Sequence, residues 1–283
     1  MQNQWREVEI QADGARLAAR IYETATPPKG VALIHPATGA PQKIYRAFAQ
    51  WVVEQQGVTV VTYDYRDFAA SAPLGVPLRA STADKHAWGV LDQSAAVDFA
   101  AGLAGGDNLT VIGHSLGGMT TPLHPNADKI SRMIVVASGP AYWSHHPFPY
   151  VLFVMLFWFV IGPLATWGLG YTPGRRLGLG ADLPAGVFWQ WRRWCLTRRF
   201  YRPDVGVTLP ATDFRNMKAR LKLVSLTDDV MIPPKFVAAL ADFYKAAEVS
   251  HLILSPQDGG GGTIGHFGAF FPHHKAIWPK IMA

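Results

Sequence analysis

The run Gly113-His114-Ser115-Leu116-Gly117 sets a serine between two glycines directly after a β-favouring stretch, Leu109-Thr110-Val111-Ile112. That pattern suits a serine on a sharp strand-to-helix turn, where the backbone is strained and any flanking side chain would collide. A serine hydroxyl attacks a carbonyl only when a base removes its proton, and the base needs a carboxylate to hold it. Downstream the chain supplies both, in Thr227-Asp228-Asp229-Val230-Met231-Ile232-Pro233 and in Gly265-His266-Phe267-Gly268. Only one of the adjacent Asp228 and Asp229 can face an imidazole, and at this level either could. His266 has nine other histidines as rivals. It alone follows the last strand-like run beside glycines. His35 and His114 belong to earlier loops, and His145-His146 and His273-His274 read as surface or helix-end pairs.

The elements around these residues explain how they could meet. Val8 to Gln11 and Leu17 to Ile21 flank Asp13-Gly14, a hairpin signal. Short apolar runs then alternate with helical spacing: Val31 to Ile34, a helix over 42–56, Val58 to Thr62, a helix over 85–104, the strand before Ser115 with a short helix after it, and Met133 to Val136. After a long interval come Leu221 to Leu226, a helix over 235–246 and Val249 to Leu254. Continuous apolar strands between amphipathic helices predict an α/β fold with a mostly parallel sheet covered on both faces. Catalytic groups in such sheets gather at the carboxyl ends of the strands, where Ser115, both aspartates and His266 fall.

With the order Ser, Asp, His and the G-x-S-x-G turn, the chain resembles the α/β-hydrolase superfamily over nearly its whole length. His35-Pro36-Ala37-Thr38-Gly39, Asp64-Tyr65-Arg66, Trp191 to Cys195 and Ile264 to Gly268 look more closely like a serine-aminopeptidase-like bacterial subgroup of uncharacterised hydrolases, whose name carries no substrate information. The resemblance implies Ser115 as nucleophile and His266 as base. It favours Asp229 as the acid, because the family's Asp is commonly followed four residues later by Pro, here Pro233; Asp228 is the alternate and a cap for the following turn. It also implies an oxyanion hole from the backbone N–H groups of Leu116, aided by helix polarity, and Ala37. Thr38 either points a hydroxyl into the site or serves its turn. One departure stands out: after Arg66 the family commonly has Gly-x-Gly-x-Ser, whereas this chain has Asp67-Phe68-Ala69-Ala70-Ser71. The loss of both glycines predicts a reshaped loop, with Asp67 at the site entrance.

Composition bounds the rest. With 283 residues, 49% of them hydrophobic, the chain can bury a large core, and disorder is excluded. Its net charge of +6 arises from a shortage of acids, with only 16% of residues charged. The basic residues are scattered, so no nucleic-acid partner is expected. A single cysteine, Cys195, excludes an intramolecular disulfide framework and suits a reducing compartment. The polar start Met1 to Glu7 carries no secretory pattern, and a cytoplasmic protein is expected. No H-E-x-x-H, paired Cys-x-x-Cys or Walker loop occurs, and no cofactor or metal is expected.

Residues 139–212 are rich in Trp, Phe, Pro and Gly and read as a cap inserted into a core formed by 1–138 and 213–283. Tyr150 to Ile161 contains no polar side chain except the tyrosine hydroxyl, and no Asp, Glu, Lys or Arg occurs from Ser144 to Gly174. At 1.5 Å per residue the pure run reaches only about 18 Å, against a hydrocarbon core of about 30 Å. Extending it crosses Gly162, Pro163, Gly168 and Gly170, so a broken span is expected and a buried cap helix is favoured. A peripheral membrane contact through 148–171, with Arg175, Arg176, Arg192 and Arg193 meeting anionic headgroups, is the alternative. The expected activity is cleavage of a small to medium apolar ester through an acyl-enzyme. Its rivals are acyl transfer or amide and peptide cleavage on the same triad, or a non-catalytic lipid-binding protein. Oligomeric state is left open.

Overall fold

A computed structural model describes residues 5–105 and 108–283; Met1 to Gln4, part of the polar start, lie outside the described residues. The chain opens with β1 (Trp5–Ala12) and β2 (Ala15–Tyr22), then β3 (Val31–His35), α1 (Arg46–Gln56), β4 (Thr59–Tyr63), α2 (Gln93–Ala104), β5 (Leu109–His114) and β6 (Arg132–Val136). There follow α3 (Tyr150–Leu156), α4 (Gly162–Leu169), β7 (Tyr171–Thr172), β8 (Leu183–Pro184) and α5 (Ala185–Cys195). The last elements are β9 (Arg220–Leu226), α6 (Pro234–Ala239), β10 (Glu248–Leu254), α7 (Gly265–Gly268) and α8 (Trp278–Met282).

Eight strands form one sheet in the order β1-β2-β4-β3-β5-β6-β9-β10. β1 and β2 pair antiparallel around the two-residue turn Asp13-Gly14, with Gly14 at φ 69°. β2 is antiparallel to β4, and every pair from β4 to β10 is parallel. β3 and β4 are buried at every residue, as their unbroken apolar runs require. Alternate residues feed two cores. Leu33, Val111, Met133 and Leu223 pack with α2 and α5 on one face, and Ile34, Ile112, Ile134 and Val224 pack with α1 and α8 on the other.

Helix ends follow local chemistry. α1 buries Phe48, Ala49, Val52 and Val53 and stops where Gly57 turns left-handed at φ 65° and donates its N–H to the Val53 carbonyl. Strand order reverses between β3 and β5, since the chain steps from β3 to β4 on one side and returns with β5 on the other. That switch point opens a crevice between the loops that follow β3 and β5.

Between β6 and β9 the chain leaves the sheet. Here one expectation is overturned: α3, a π-helical turn at Phe157–Ile161 and α4 run on as one helix, Tyr150–Leu169, of 20 residues. Pro163 lacks an N–H and would crowd the carbonyl four residues back, and the wider turn just before it accommodates that misfit. The helix ends at Gly170, left-handed at φ 73°.

Candidate active site

Ser115 stands at the carboxyl end of β5 with φ 52°, a left-handed conformation that a residue with a side chain rarely adopts. Its glycines are needed for space. A Cβ on Gly113 would strike the carbonyl of Gly117, and one on Gly117 would strike the carbonyl of His35 at the end of β3. The turn therefore closes only because both positions lack a side chain. The expected helix after the serine is a four-residue 3-10 turn, Ser115–Gly118, so axial polarity adds little to the Leu116 N–H. That N–H lies in the first turn, where no intrahelical acceptor reaches it.

The aspartates take different partners. Oδ2 of Asp229 lies 2.7 Å from Nδ1 of His266, and its Oδ1 accepts the N–H groups of Met231 and Ile232, both at 2.9 Å. Asp229 is 1% exposed, and burial alone would raise its pKa; the His266 ring and the two N–H donors outweigh that and hold the carboxyl below its ordinary value. Asp228 turns instead to the histidine loop, where Oδ2 accepts the N–H groups of Ile264 at 2.7 Å and Gly265 at 3.1 Å. It caps α7, the one-turn helix that carries His266, rather than the turn after β9. Adjacent residues thus orient the same imidazole, one through its ring and one through its backbone.

Ala37 requires a correction. Its N–H, expected to face an oxyanion, is donated to the Tyr45 hydroxyl at 2.9 Å. The neighbouring Thr38 N–H has no protein acceptor among the described residues, and Thr38 lines the cavity beside Ser115. The Tyr45 hydroxyl continues to Nδ1 of His114 at 2.8 Å, and Nε2 of His114 reaches the backbone carbonyl of His266 at 2.9 Å. A carbonyl only accepts, so Nε2 carries the proton, Nδ1 accepts from Tyr45, and Tyr45 accepts from Ala37. Burial, then the nearby His266, push His114 down to about 3, so the ring remains neutral.

Other histidines fall differently from expectation. His146 is half-buried and lines the cavity, and His274 is buried, with Nε2 3.1 Å from the Thr263 carbonyl in the loop leading to His266. His35 is buried against Tyr63, with 2.8 Å between Nδ1 and the hydroxyl. Asp67 lies away from the cavity and accepts the Ser81 hydroxyl at 2.6 Å. In the loop after β4, Asp67 at φ 57° and Ala69 at φ 49° hold left-handed conformations at the positions where the family commonly has glycine.

Ser115, His266, Leu116 and Thr38 share one narrow cavity, roofed by Tyr150, Phe153, Val154, Phe157 and Trp158 and walled by Trp191, Trp194 and Cys195. Lys85 also lines it, a residue that no local pattern along the chain singles out. Among the described residues no cluster of His, Cys, Asp and Glu could hold a metal ion.

Residues 31–273 match the family model described as the alpha/beta hydrolase family. No curated protein matches the sequence. Among solved structures, an alpha-beta serine hydrolase homologue from Coxiella burnetii superposes with a TM-score of 0.56 at 15% identity, covering 99% of this chain and 96% of that one. A thermophilic esterase from Thermogutta terrifontis gives a TM-score of 0.58 at 13% identity, covering 98% and 97%. A bacterial membrane phospholipase A gives 0.56 at 17% identity, covering 99% and 87%. At such identities the likeness is one of fold.

Proposed function

This chain belongs to the α/β-hydrolase family, and from that premise we propose that it is a serine hydrolase cleaving a carboxylic ester, or a related acyl bond, of a small to medium apolar substrate. The observation that carries the reading is the Asp229–His266 pair at 2.7 Å, opening on the same cavity as a left-handed Ser115. Ser115 Oγ attacks the acyl carbon while His266 Nε2 takes its proton. Asp229 fixes the proton of the other ring nitrogen on Nδ1 and stabilises the imidazolium without itself being protonated. The tetrahedral oxyanion is met by the N–H of Leu116 and by that of Thr38, in place of Ala37. Expulsion of the alcohol, protonated by His266, leaves an acyl-enzyme. Water, activated by the same imidazole, then releases the acid.

The apolar character of the proposed substrate is supported by the walls, in which Phe, Trp, Met and Leu side chains predominate. The test is labelling by a fluorophosphonate probe. The folded protein is expected to be labelled at Ser115, with labelling abolished in Ser115→Ala. Folded protein that resists the probe would leave a binding protein rather than an enzyme.

A further inference from the structure

Lys85 is 1% exposed, yet no ion pair to it occurs among the described residues. Its Nζ donates to the Thr38 hydroxyl and lies 4.8 Å from the centre of the Trp191 ring. The preceding carboxylate, Asp84, is engaged elsewhere, accepting the Ala87 N–H at 2.8 Å. Cys195, facing the same space, is pushed up to about 12 by burial and offers no counter-charge. No Asp or Glu lines the cavity.

An ammonium group taken out of water into an aromatic pocket is costly unless a negative charge meets it. Burial accordingly pushes the amine down to about 7. The geometry points to a substrate that brings the missing charge: an ester whose acyl chain ends in a carboxylate seated on Lys85, with the scissile carbonyl at Ser115. This rests on the hydrolase reading above and narrows its substrate class. One ammonium with free N–H donors matches a monoanion, whereas a phosphate dianion is usually held by several cations or an arginine fork.

The test uses p-nitrophenyl monoesters of straight-chain dicarboxylic acids and their methyl-capped diesters, each pair compared at equal chain length. The wild-type protein is expected to cleave at least one free acid with kcat/KM tenfold or more above its capped partner. In Lys85→Met that ratio should fall towards one. If Lys85 only positioned Thr38, both members of the pair would slow together and the ratio would persist, overturning the inference. A wild-type protein that prefers the capped ester at every length overturns it without any variant. Absence of turnover together with absence of fluorophosphonate labelling would instead overturn the hydrolase reading beneath it.

A second inference has an independent source, the helix Tyr150–Leu169, which is strongly apolar and mostly unburied. At 1.5 Å per residue it is about 30 Å long. Val154, Phe157, Trp158, Gly162 and Thr166 seat one stripe on the protein body, so the helix lies along the surface. Its other face leaves Leu164 64% and Trp167 82% exposed, with Leu152, Leu156 and Phe159 beside them. Where the helix ends the charge turns positive. A Cβ on Gly170 would lie 3.0 Å from that of the exposed Arg79, and Arg176 follows on the next turn beside Arg175, which pairs with Asp182 at 3.2 Å. An apolar face with a basic rim complements an anionic bilayer.

We infer that this face docks on an anionic lipid bilayer, with the inner side of the same helix roofing the active-site cavity. Phe153, half exposed yet lining the cavity, marks where lipid and pocket adjoin. The full chain is expected to co-sediment with vesicles containing phosphatidylglycerol and less with pure phosphatidylcholine. The exposed double substitution Leu164→Glu, Trp167→Glu should reduce the bound fraction at least tenfold. Failure to bind the anionic vesicles at low salt would overturn the inference. So would a dimer that buries this helix and stays in solution when vesicles are added.

Discussion

Replacing Tyr45 by Phe removes one oxygen and should disturb three parts of the site. In the folded protein that hydroxyl accepts the Ala37 N–H at 2.9 Å and donates to His114 Nδ1 at 2.8 Å, and all three residues are fully buried. Phenylalanine leaves both partners without water or protein to replace it. Each buried orphan costs about 1–3 kcal/mol, so a destabilisation of about 2–6 kcal/mol is expected. His114 cannot escape by moving its proton to Nδ1, because the His266 carbonyl would then lose its donor, 2.9 Å away. The measurement is urea denaturation followed by tryptophan fluorescence, with Tyr22→Phe as reference. The Tyr22 hydroxyl is buried with no hydrogen-bond partner among the described residues, so its removal should be neutral or stabilising. Because Ala37 anchors the loop that presents Thr38, fluorophosphonate labelling of Tyr45→Phe should also slow by about 10–100-fold, the scale of a small misplacement of catalytic groups. A Tyr45→Phe protein within about 0.5 kcal/mol of wild type would refute the relay from the β3 loop to His266.

The adjacent aspartates should separate in a single assay: Asp229→Asn loses the carboxylate on His266 Nδ1 and should lower ester turnover about 10⁴-fold, whereas Asp228→Asn retains an oxygen that can accept the Ile264 N–H and should lose far less. Ala69→Gly should raise stability in urea by up to about 1 kcal/mol, because it relieves a left-handed alanine at φ 49° while adding chain entropy to the unfolded state. Arg66→Met removes the guanidinium 2.7 Å from Asp92 and should cost about 3–5 kcal/mol at neutral pH, read from the same unfolding curves. The pH dependence of wild-type stability provides the check on sign. Burial outweighs Arg66 and pushes Asp92 up to about 6, from 3.8. The folded state therefore holds more protons than the unfolded state between those values, and this contribution to stability falls as pH rises through that window. Asp92→Asn should remove that slope, and an unchanged slope would exclude Asp92 as its source.

What the sequence disclosed was whatever could be judged from neighbours along the chain. The buried parallel strands are short β-branched runs, and Asp13-Gly14 announces its hairpin because a two-residue turn is a local event. What it could not disclose depended on partners distant in sequence. Whether Ala37 or Thr38 offers a free N–H is decided by a hydroxyl eight residues on, and the role of His114 by a carbonyl 152 residues away. Lys85 looked ordinary because nothing in its segment shows that it is buried against Trp191. After Arg66, local propensity disfavours φ near 50° for Ala in particular, but the fold holds both Asp67 and Ala69 there. Asp67 is tied to Ser81, and Ser71 donates to the Asp64 carbonyl at 2.8 Å while accepting the Ala18 N–H at the same distance.

The helix Tyr150–Leu169 is continuous over 20 residues. Glycine and proline in its second half argued for a break on local grounds, and the π-helical turn at Phe157–Ile161 removes that argument. Continuity gives the helix its two faces. The inner face supplies Tyr150, Val154, Phe157 and Trp158 to the pocket that holds Lys85, and the outer face carries Leu164 and Trp167 towards whatever covers it. A substrate with an apolar chain and a terminal carboxylate suits both faces, since it would partition at a membrane surface and still bring a charge to the amine. On the proposed reading, substrate selection lies in the helix Tyr150–Leu169 and Lys85, while Ser115, His266 and Asp229 define only the bond to be broken. Substitutions on the helix should accordingly shift the ranking among esters, whereas substitutions in the triad should lower all of them together. A Phe157→Ala protein that slows every ester equally, long and short, acidic and capped, would contradict that division.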